Sequence, residues 1–334
     1  VSESVLLTKS NKNPSVSGFV NALLRAFIRD GKKLPEYKDR IQNLSVAYSC
    51  PEWIIRMWQK DYSEDVMMDM LRSSVGRPPV TVRLNTLRFG IDEITSSLQA
   101  QGAKLRMFDA PDSCAELFGC GAVEELEAYK RGMFHVQDVS CQICAAQLGA
   151  KESDTVLDMC SAPGGKAFTI AQIMKDCGKV FAFDLHENRA RLISSGAKRL
   201  GLGSVLAMVN NAKAYNPDIP AADAVLCDVP CSGLGVIRRK PEIKYCDRDA
   251  IAGLPAVQYD ILRCSSQYVK SGGTLVYSTC TIRREENDLV AGRFLEEHAE
   301  FEPLELNGFS DYKVTMTPSM FGGDGFFIAK FKSR

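Results

Sequence analysis

The chain has 334 residues, of which 45% are hydrophobic and 25% are charged, a balance typical of a globular protein with two or three domains. Its 41 basic and 41 acidic residues cancel, so any basic surface for nucleic acid must be local, and no apolar segment approaches the roughly 20 residues that span a bilayer. The 12 cysteines are irregularly spaced, and no signal-peptide pattern precedes them in the chain. Both observations favour free thiols in a reducing compartment. We therefore expect a cytoplasmic protein, and because the chain starts at Val1 we expect a further N-terminal segment before it.

The first 75 residues are predicted to be helical. The segment SGFVNALLRAFIRDG has apolar residues at helical spacing and ends at Gly31, and PEWIIRMWQKDY and VMMDMLRSS continue the helical pattern. From residue 79 onward, the alternating segment PVTVRLNTLR predicts a strand, IDEITSSLQAQG a helix and KLRMF a second strand. Together these patterns indicate a small α+β unit.

From about residue 136 the strand and helix patterns alternate. Helices are predicted at SCQICAAQLGA, GKAFTIAQIMK, ENRARLISSGAKRLGL and VQYDILRCSSQYVKSGG, and strands at TVLDMC, KVFAFDL, SVLAMVNN, DAVLCDVP and GTLVYSTC. This alternation predicts a mainly parallel, doubly wound sheet with helices on both faces. Ligands of such sheets bind beyond the carboxyl ends of the strands, so the residues that directly follow the strands are the candidates for chemistry.

The turn CSAPGGK follows the first of these strands and opens a helix. Its glycines allow a ligand close to the backbone, and the first amides of the helix favour a negative group. A P-loop is excluded because Cys160 and Ala167 stand where it needs Gly and Ser or Thr, and the dinucleotide pattern GxGxxG is absent. Asp184 lies about 20 residues further on, the spacing of an acidic residue that takes ribose hydroxyls. Either feature alone is explained by a tight turn or a helix cap, but together they favour adenosylmethionine, which has a carboxylate and a ribose.

Two cysteines follow predicted strands, Cys231 in CDVPCSGLGVIRRKPEIKY and Cys280 in YSTCTIRREEN. Each is followed by basic residues, and nearby positive charge lowers a thiol pKa and can hold phosphates. The alternative for each is a small apolar filler in the core. Cys141 and Cys144 form a CxxC within a helix with no second pair, so we expect no metal site.

Four motifs resemble those of a known family. The segments LDMCSAPGGK, CDVPCSGLGVIRRKPEIKY, YSTCTIRREEN and DGFFIAKF resemble, in this order, the motifs of RNA 5-methylcytosine methyltransferases of the Nol/Nop/Sun type, over about residues 79–334. SGFVNALLRAFIRDG resembles the closing helices of the NusB-like domain that precedes the catalytic part in bacterial members. The resemblance implies an α/β fold, a Rossmann-like class I methyltransferase with a mainly parallel doubly wound sheet, preceded by a small α+β domain and NusB-like helices.

Three regions are predicted on this basis. Residues 1–31 would be the C-terminal remnant of the NusB-like domain, and residues 32–135 a helical linker with a small α+β domain resembling RNA-recognition domains. Residues 136–334 would be the adenosylmethionine-dependent methyltransferase domain.

The resemblance also implies roles for the site residues. Cys280 would attack carbon 6 of a cytosine, Cys231 would assist release of the product, and Asp228 would hydrogen-bond the cytosine edge. S-adenosyl-L-methionine is the implied cofactor, held by Cys160, Ser161, Ala162, Pro163, Gly164, Gly165, Lys166, Asp184, Asn211 and Asp228. The family usually has Asp at the position of Asn211, and Asn210 is the alternative match.

The implied substrate is RNA, with small-subunit ribosomal RNA expected, and the target base must be unstacked for reaction. The residues expected to contact RNA are Arg83, Asn85, Arg238 and Arg239, although VRLNTLR could equally be an ordinary edge strand. We expect a monomer that binds neither membrane nor metal. The alternatives are a methyltransferase acting on another RNA such as tRNA, one acting on protein or a small molecule, and a non-catalytic RNA-binding assembly factor.

Overall fold

The computed structural model describes residues 1–10 and 14–334, which divide into two compact units, Val1–Lys60 and Asp61–Arg334. The first unit is helical, and its helices are α1 (Ser2–Ser10), α2 (Ser17–Arg29), α3 (Arg40–Ala47) and α4 (Glu52–Asp61), the last ending one residue into the second unit. Asp39 begins α3 by accepting a hydrogen bond from the Ile41 amide at 2.8 Å. The predicted helices at SGFVNALLRAFIRDG and PEWIIRMWQKDY are confirmed as α2 and α4.

The second unit begins with a small α+β part. It contains strands β1 (Val80–Leu84), β2 (Lys104–Met107), β3 (Cys114–Phe118) and β4 (Phe134–Val136) with helices α5 (Glu64–Ser73), α6 (Ile91–Gln99) and α7 (Glu127–Lys130). The strands form an antiparallel sheet in the order β2-β3-β1-β4. VRLNTLR therefore does not begin in an edge strand, and that alternative is wrong, because β1 pairs on both sides and is buried on both faces.

The larger sheet has eight strands. They are β5 (Thr155–Asp158), β6 (Lys179–Asp184), β7 (Val205–Val209), β8 (Ala222–Asp228), β9 (Val269–Thr279), β10 (Phe301–Pro303), β11 (Lys313–Met316) and β12 (Phe326–Ser333). The main path is β10-β12-β9-β8-β5-β6-β7, with β11 paired to β12. The pairs among β5 to β9 are parallel, whereas β12 runs antiparallel to β9. The predicted mainly parallel sheet is confirmed.

Helices cover both faces of this sheet. They are α8 (Val139–Ala146), α9 (Gly165–Ile173), α10 (Glu187–Leu200), α11 (Arg248–Ala252), α12 (Leu254–Ser266), α13 (Asp288–Glu297) and α14 (Pro318–Phe321). Val156 of β5 lies in a core with residues of α8, α9 and α10, and the next residue, Leu157, lies in a core with α12 and α13. Because successive residues of a strand point to opposite faces, a strand covered on both faces reads as a continuous apolar run.

The order of the strands fixes where a ligand can bind. The chain runs outward from β5 through β6 to β7, and then returns to the other side of β5 for β8 and β9. The carboxyl ends of β5, β6, β8 and β9 therefore meet at the point where the order reverses. One element boundary was predicted wrongly: helix α12 ends at Ser266, and VKSGG belongs to β9, because Val269 pairs with Ala222 and a glycine at φ +77° lets the strand bend.

Candidate active site

A glycine turn joins β5 to α9 at the reversal point. Gly164 has a φ of +109°, and a Cβ on this residue would lie 2.4 Å from the ring of Phe168. The turn is closed by a 2.8 Å hydrogen bond from the Gly164 amide to the Ser161 carbonyl. Glycine is therefore required at position 164 both by its conformation and by the ring beside it.

Unpaired polar atoms line the beginning of this turn. Asp158, the last residue of β5, is fully buried, and within residues 1–10 and 14–334 neither of its carboxyl oxygens nor the Ser161 hydroxyl has a hydrogen-bond partner. Burial, and secondarily the charge of Asp228, raises the pKa of Asp158 to about 7 against the attraction of the Lys166 ammonium. Buried polar groups without partners fit a site that a polar ligand completes.

Asp184 lies at the end of β6, as the sequence predicts. Its carboxylate accepts a hydrogen bond from the His186 amide at 3.0 Å, and Arg189 lies 3.4 Å from its other oxygen. Arg189 also donates to the Ala162 carbonyl at 3.0 Å, so one side chain connects this carboxylate to the glycine turn. Asp184 thus accepts from the amide of the residue before α10, and its second oxygen lies in the ion pair with Arg189.

The two asparagines after β7 have different environments. Asn211 is exposed, and its side-chain oxygen accepts from the Lys213 amide at 3.1 Å. Asn210 is buried, and its backbone amide donates to the Asp184 carbonyl at 3.0 Å. Its side-chain nitrogen has no hydrogen-bond partner among the described residues. Both remain candidates for contact with an adenine.

An ion pair connects the glycine turn to β8. The Lys166 ammonium lies 2.6 Å from one oxygen of Asp228, 3.5 Å from the Cys141 sulfur and 4.9 Å from the centre of the Phe326 ring. Ser278 donates to the other Asp228 oxygen at 2.8 Å. Burial alone would lower the pKa of Lys166, but the attraction of Asp228 raises it well above its ordinary value, so the ammonium stays charged.

The two predicted cysteines meet beside this ion pair. Their sulfur atoms lie 3.1 Å apart, and both thiols are free. The loop that carries Cys231 is tied to the Cys280 loop by a 3.1 Å hydrogen bond from the Gly235 amide to the Cys280 carbonyl. Two residues separated by 49 positions in the sequence are thus brought into contact by the adjacent ends of β8 and β9.

The two thiols have opposite pKa shifts. The hydrogen bond donated by Cys231 is the main cause that lowers the pKa of Cys280, with help from the Lys166 ammonium and against burial and Asp228. The same hydrogen bond, together with burial, raises the pKa of Cys231 well above its ordinary value. Cys280 is therefore the more acidic thiol of the pair, and a more acidic thiol has the larger thiolate fraction.

Comparison with known proteins gives the family. The family model described as "16S rRNA methyltransferase RsmB/F" matches residues 145–332, and the model described as "Methyltr_RsmF/B-like, ferredoxin-like domain" matches residues 50–117. The chain is 35% identical over 350 residues to the "Probable ribosomal RNA small subunit methyltransferase B" of Bacillus subtilis, covering 100% of the chain and 78% of that protein. It is 32% identical over 331 residues to the "Ribosomal RNA small subunit methyltransferase B" of Erwinia tasmaniensis, covering 96% and 74%. The chain belongs to the RsmB/F family.

Solved structures agree with this assignment. The crystal structure of PH0851 superposes with a TM-score of 0.85 at 29% identity, covering 98% of the chain and 75% of that protein. NSun6 from Pyrococcus horikoshii superposes with a TM-score of 0.77 at 20% identity, covering 85% and 98%, which shows the shared fold. The predicted family, fold class and RNA cytosine-5 methyltransferase activity are confirmed, and the chain is a 16S rRNA methyltransferase of a family that uses S-adenosylmethionine.

Two residues that the sequence assigns to RNA contact are buried in this methyltransferase. Arg83 donates to the Gln172 side chain at 2.8 Å, and the Asn85 amide donates to the carbonyls of Gly132 and Leu200 at 2.9 and 2.8 Å. Asn85 is fully inaccessible to solvent. In this conformation the polar groups of both side chains bond within the interior and brace the small sheet against the catalytic part. The RNA contacts predicted for them stay predictions.

The basic residues after Cys231 are engaged in ion pairs. Arg239 lies 2.5 Å from Asp324 and 2.9 Å from Asp138, and it donates to the Pro79 carbonyl at 2.8 Å. Arg238 lies 3.9 Å from Asp324. Arg239 thus fixes the cysteine loop to neighbouring segments, and the RNA contacts predicted for both arginines stay predictions.

Sequence reasoning assigned the positive charge near Cys280 to the wrong residues. Arg283 and Arg284 pair with carboxylates, at 3.3 Å from Glu285 and 3.7 Å from Asp288. The ammonium that lowers the pKa of Cys280 is that of Lys166, in a different motif. Sequence reasoning also missed Glu286, although the acidic pair in YSTCTIRREEN directly follows the cysteine turn and was a visible signal.

Two further observations concern metal-binding groups and membrane-spanning helices. The described ranges hold no group of three or more His, Cys, Asp or Glu side chains that could bind a metal ion. Nor does any helix in these ranges combine the length and apolar character that crossing a membrane requires.

Proposed function

We propose that this enzyme methylates carbon 5 of a cytosine in 16S ribosomal RNA through a covalent adduct between Cys280 and carbon 6 of the base. The observation that carries the proposal is the 3.1 Å contact between the sulfurs of Cys231 and Cys280 at the ends of two adjacent strands. A methyltransferase acting on protein or a small molecule needs no such pair. A non-catalytic assembly factor needs no activated thiol.

Cys280 begins the reaction. Its thiolate donates an electron pair to carbon 6 of the cytosine, a carbon–sulfur bond forms, and the π electrons of the 5,6 double bond move toward carbon 5. Asp228 would hold the cytosine edge by accepting a hydrogen bond from the exocyclic amino group of the base, because Lys166 and Ser278 fix the orientation of its carboxylate. Lys166 also compensates the negative charges of Asp228 and the thiolate in a partly buried site.

Methyl transfer then occurs at carbon 5. When bound, S-adenosylmethionine supplies an electrophilic methyl group on a sulfonium. The residues of the chain would hold that methyl group facing carbon 5, the atom that attack by Cys280 makes electron-rich. The residues proposed to hold this cofactor are the CSAPGGK turn at its methionine part, Asp184 at its ribose and Asn210 or Asn211 at its adenine. The unpaired buried groups at Asp158, Ser161 and Asn210 support this placement.

Cys231 releases the product. Once the Cys280 sulfur is bonded to carbon, it no longer accepts the Cys231 proton, which removes the main cause of the raised pKa of Cys231. Cys231 can then lose its proton to water and take the proton from carbon 5. The freed electron pair restores the 5,6 double bond, the bond from carbon 6 to sulfur breaks, and the thiolate of Cys280 returns.

Trapping of the adduct tests this mechanism. We expect 5-fluorocytosine-containing 16S RNA, with S-adenosylmethionine, to form a covalent complex that mass spectrometry maps to Cys280, because fluorine cannot leave as a proton does. The adduct should vanish in Cys280→Ser. With unmodified RNA, Cys231→Ser should accumulate the adduct and turn over slowly.

Two outcomes would contradict the mechanism. An adduct that persists in Cys280→Ser and maps to another cysteine would remove the nucleophile assignment, and normal multiple turnover by Cys231→Ser would remove the release step. Methylation of tRNA in preference to 16S RNA, measured with both substrates unmodified, would overturn the substrate assignment alone.

A further inference from the structure

A buried glutamate connects the two cysteine loops. Glu286 has no solvent exposure, and one oxygen of its carboxylate accepts hydrogen bonds from the Ser232 amide at 2.9 Å and from the Gln258 side chain at 2.8 Å. Ser232 directly follows Cys231 in the chain, whereas Glu286 lies six residues after Cys280. The carboxylate therefore reaches from one loop to the backbone of the other.

The same glutamine extends this connection. Gln258, on α12, also donates to the Pro230 carbonyl at 2.9 Å, so the backbone on both sides of Cys231 is held. Glu286 itself is held through its carbonyl, which accepts the Tyr277 hydroxyl at 2.5 Å from within β9. Cys231 thus lies between two fixed peptide groups.

The second oxygen of Glu286 is nearly unpaired. Among the residues that the structure describes, it has no hydrogen-bond partner, and the nearest cation, Arg283, lies 3.7 Å away. A buried carboxylate with incomplete compensation costs stability.

We propose that Glu286 is a positioning residue that sets the Cys231 sulfur against that of Cys280 by holding the Ser232 amide. This proposal rests on the proposed function, because it gives the cysteine pair its chemical meaning. Glu286 touches no reacting atom and acts through Cys231. If the carboxylate is withdrawn, the loop relaxes, the donated hydrogen bond weakens, and the thiol of Cys280 becomes less acidic.

The experiment separates the position of the carboxylate from its charge. Glu286→Asp keeps the charge but shortens the side chain by one carbon, so the hydrogen bond from the Ser232 amide is lost. Glu286→Gln keeps the shape and an acceptor oxygen but removes the charge. The readout is the pH dependence of Cys280 alkylation by isotope-coded iodoacetamide, mapped by mass spectrometry in the full chain without RNA.

A positioning role predicts a larger effect for the shorter side chain. Glu286→Asp should move the alkylation midpoint of Cys280 upward by about half a pH unit or more, which is roughly a threefold smaller thiolate fraction at neutral pH. Glu286→Gln should move it less. In a Cys231→Ala background Glu286→Asp should cause no further shift, because the residue acts only through Cys231. The matched control is Glu285→Gln, since Glu285 pairs with Arg283 and makes no contact with Ser232.

Several outcomes would overturn the proposal. These are an unchanged midpoint in Glu286→Asp, a larger shift in Glu286→Gln than in Glu286→Asp, and an undiminished shift in the Cys231→Ala background. If Glu286→Asp does not fold, Gln258→Leu tests the same connection from the other side and should raise the midpoint in the same direction. Because alkylation needs no RNA, its result is independent of whether Cys280 forms the adduct with cytosine.

Discussion

Replacing Asp158 by Asn tests whether the ionised Asp158 carboxylate, just before the CSAPGGK turn, destabilises the folded protein. The pKa of this buried carboxyl rises from 3.8 to about 7, and since one pKa unit corresponds to about 1.4 kcal/mol, its ionised form costs the folded state on the order of 4 kcal/mol. The amide of Asn has similar size and no charge. The substitution should therefore remove this cost.

The sign of the pH dependence follows from the raised pKa. Between about pH 4 and pH 7 the folded protein keeps the Asp158 proton while the unfolded chain has released it, so the contribution of this group to stability falls as pH rises through that window. Asp158→Asn lacks this titration. Its stability relative to wild type should increase from pH 4 to pH 7 and stay constant above.

The assay must follow the unit that contains Asp158. Both tryptophans, Trp53 and Trp58, lie in the first 60 residues, so their fluorescence follows that unit and serves as an internal control. Labelling of the fully buried Cys227 thiol on β8 during urea unfolding follows the second unit. Equal pH slopes for wild type and Asp158→Asn, in the absence of cofactor, would refute the electrostatic argument, and so would a relative stability that decreases toward pH 7.

Two other substitutions, the first with a matched control, give direct tests. Lys166→Met leaves Asp228 without its cation, so we expect second-unit stability to fall by about 3 kcal/mol and methyl transfer to fall by at least about tenfold. Lys270→Met, which breaks the exposed pair with Asp223, should cost less than about 1 kcal/mol in the same urea titration, and an equal loss in both would contradict the assigned burial. Gly164→Ala should cost about 1–3 kcal/mol and weaken cofactor binding in calorimetry, because its Cβ meets Phe168; unchanged affinity would show that the turn adapts.

The positions of the site residues along the strands could be predicted from sequence. Cys231, Cys280 and Asp184 follow apolar runs, and the rule that parallel strands end at one edge places them together. Their pairing could not be predicted, because the contact between the sulfurs depends on β8 and β9 being neighbours. The Lys166–Asp228 pair has the same origin, since it joins two motifs 62 residues apart.

Contacts of polar residues within the interior could not be predicted from the sequence. Asn85 follows an alternating segment and has the composition of a surface contact, but its side chain satisfies two carbonyls in a buried junction. A local pattern contains no information about which carbonyls lack partners elsewhere in the chain. The ion pairs of Arg239 could not be predicted for the same reason, because its carboxylate partners, Asp138 and Asp324, lie about 100 and 85 residues away. The domain boundaries predicted at residues 31 and 135 stay predictions.

The contact between the two thiols also makes the enzyme vulnerable to oxidants. The sulfurs of Cys231 and Cys280 are 3.1 Å apart, and an approach of about 1 Å would bring them to disulfide distance. Peroxide reacts with thiolates, and the lowered pKa of Cys280 gives this residue the larger thiolate fraction of the pair. Oxidation of this pair would consume the nucleophile and the release group in one event. Methylation should thus stop when thiol-reducing capacity is exhausted and resume when a reductant is restored.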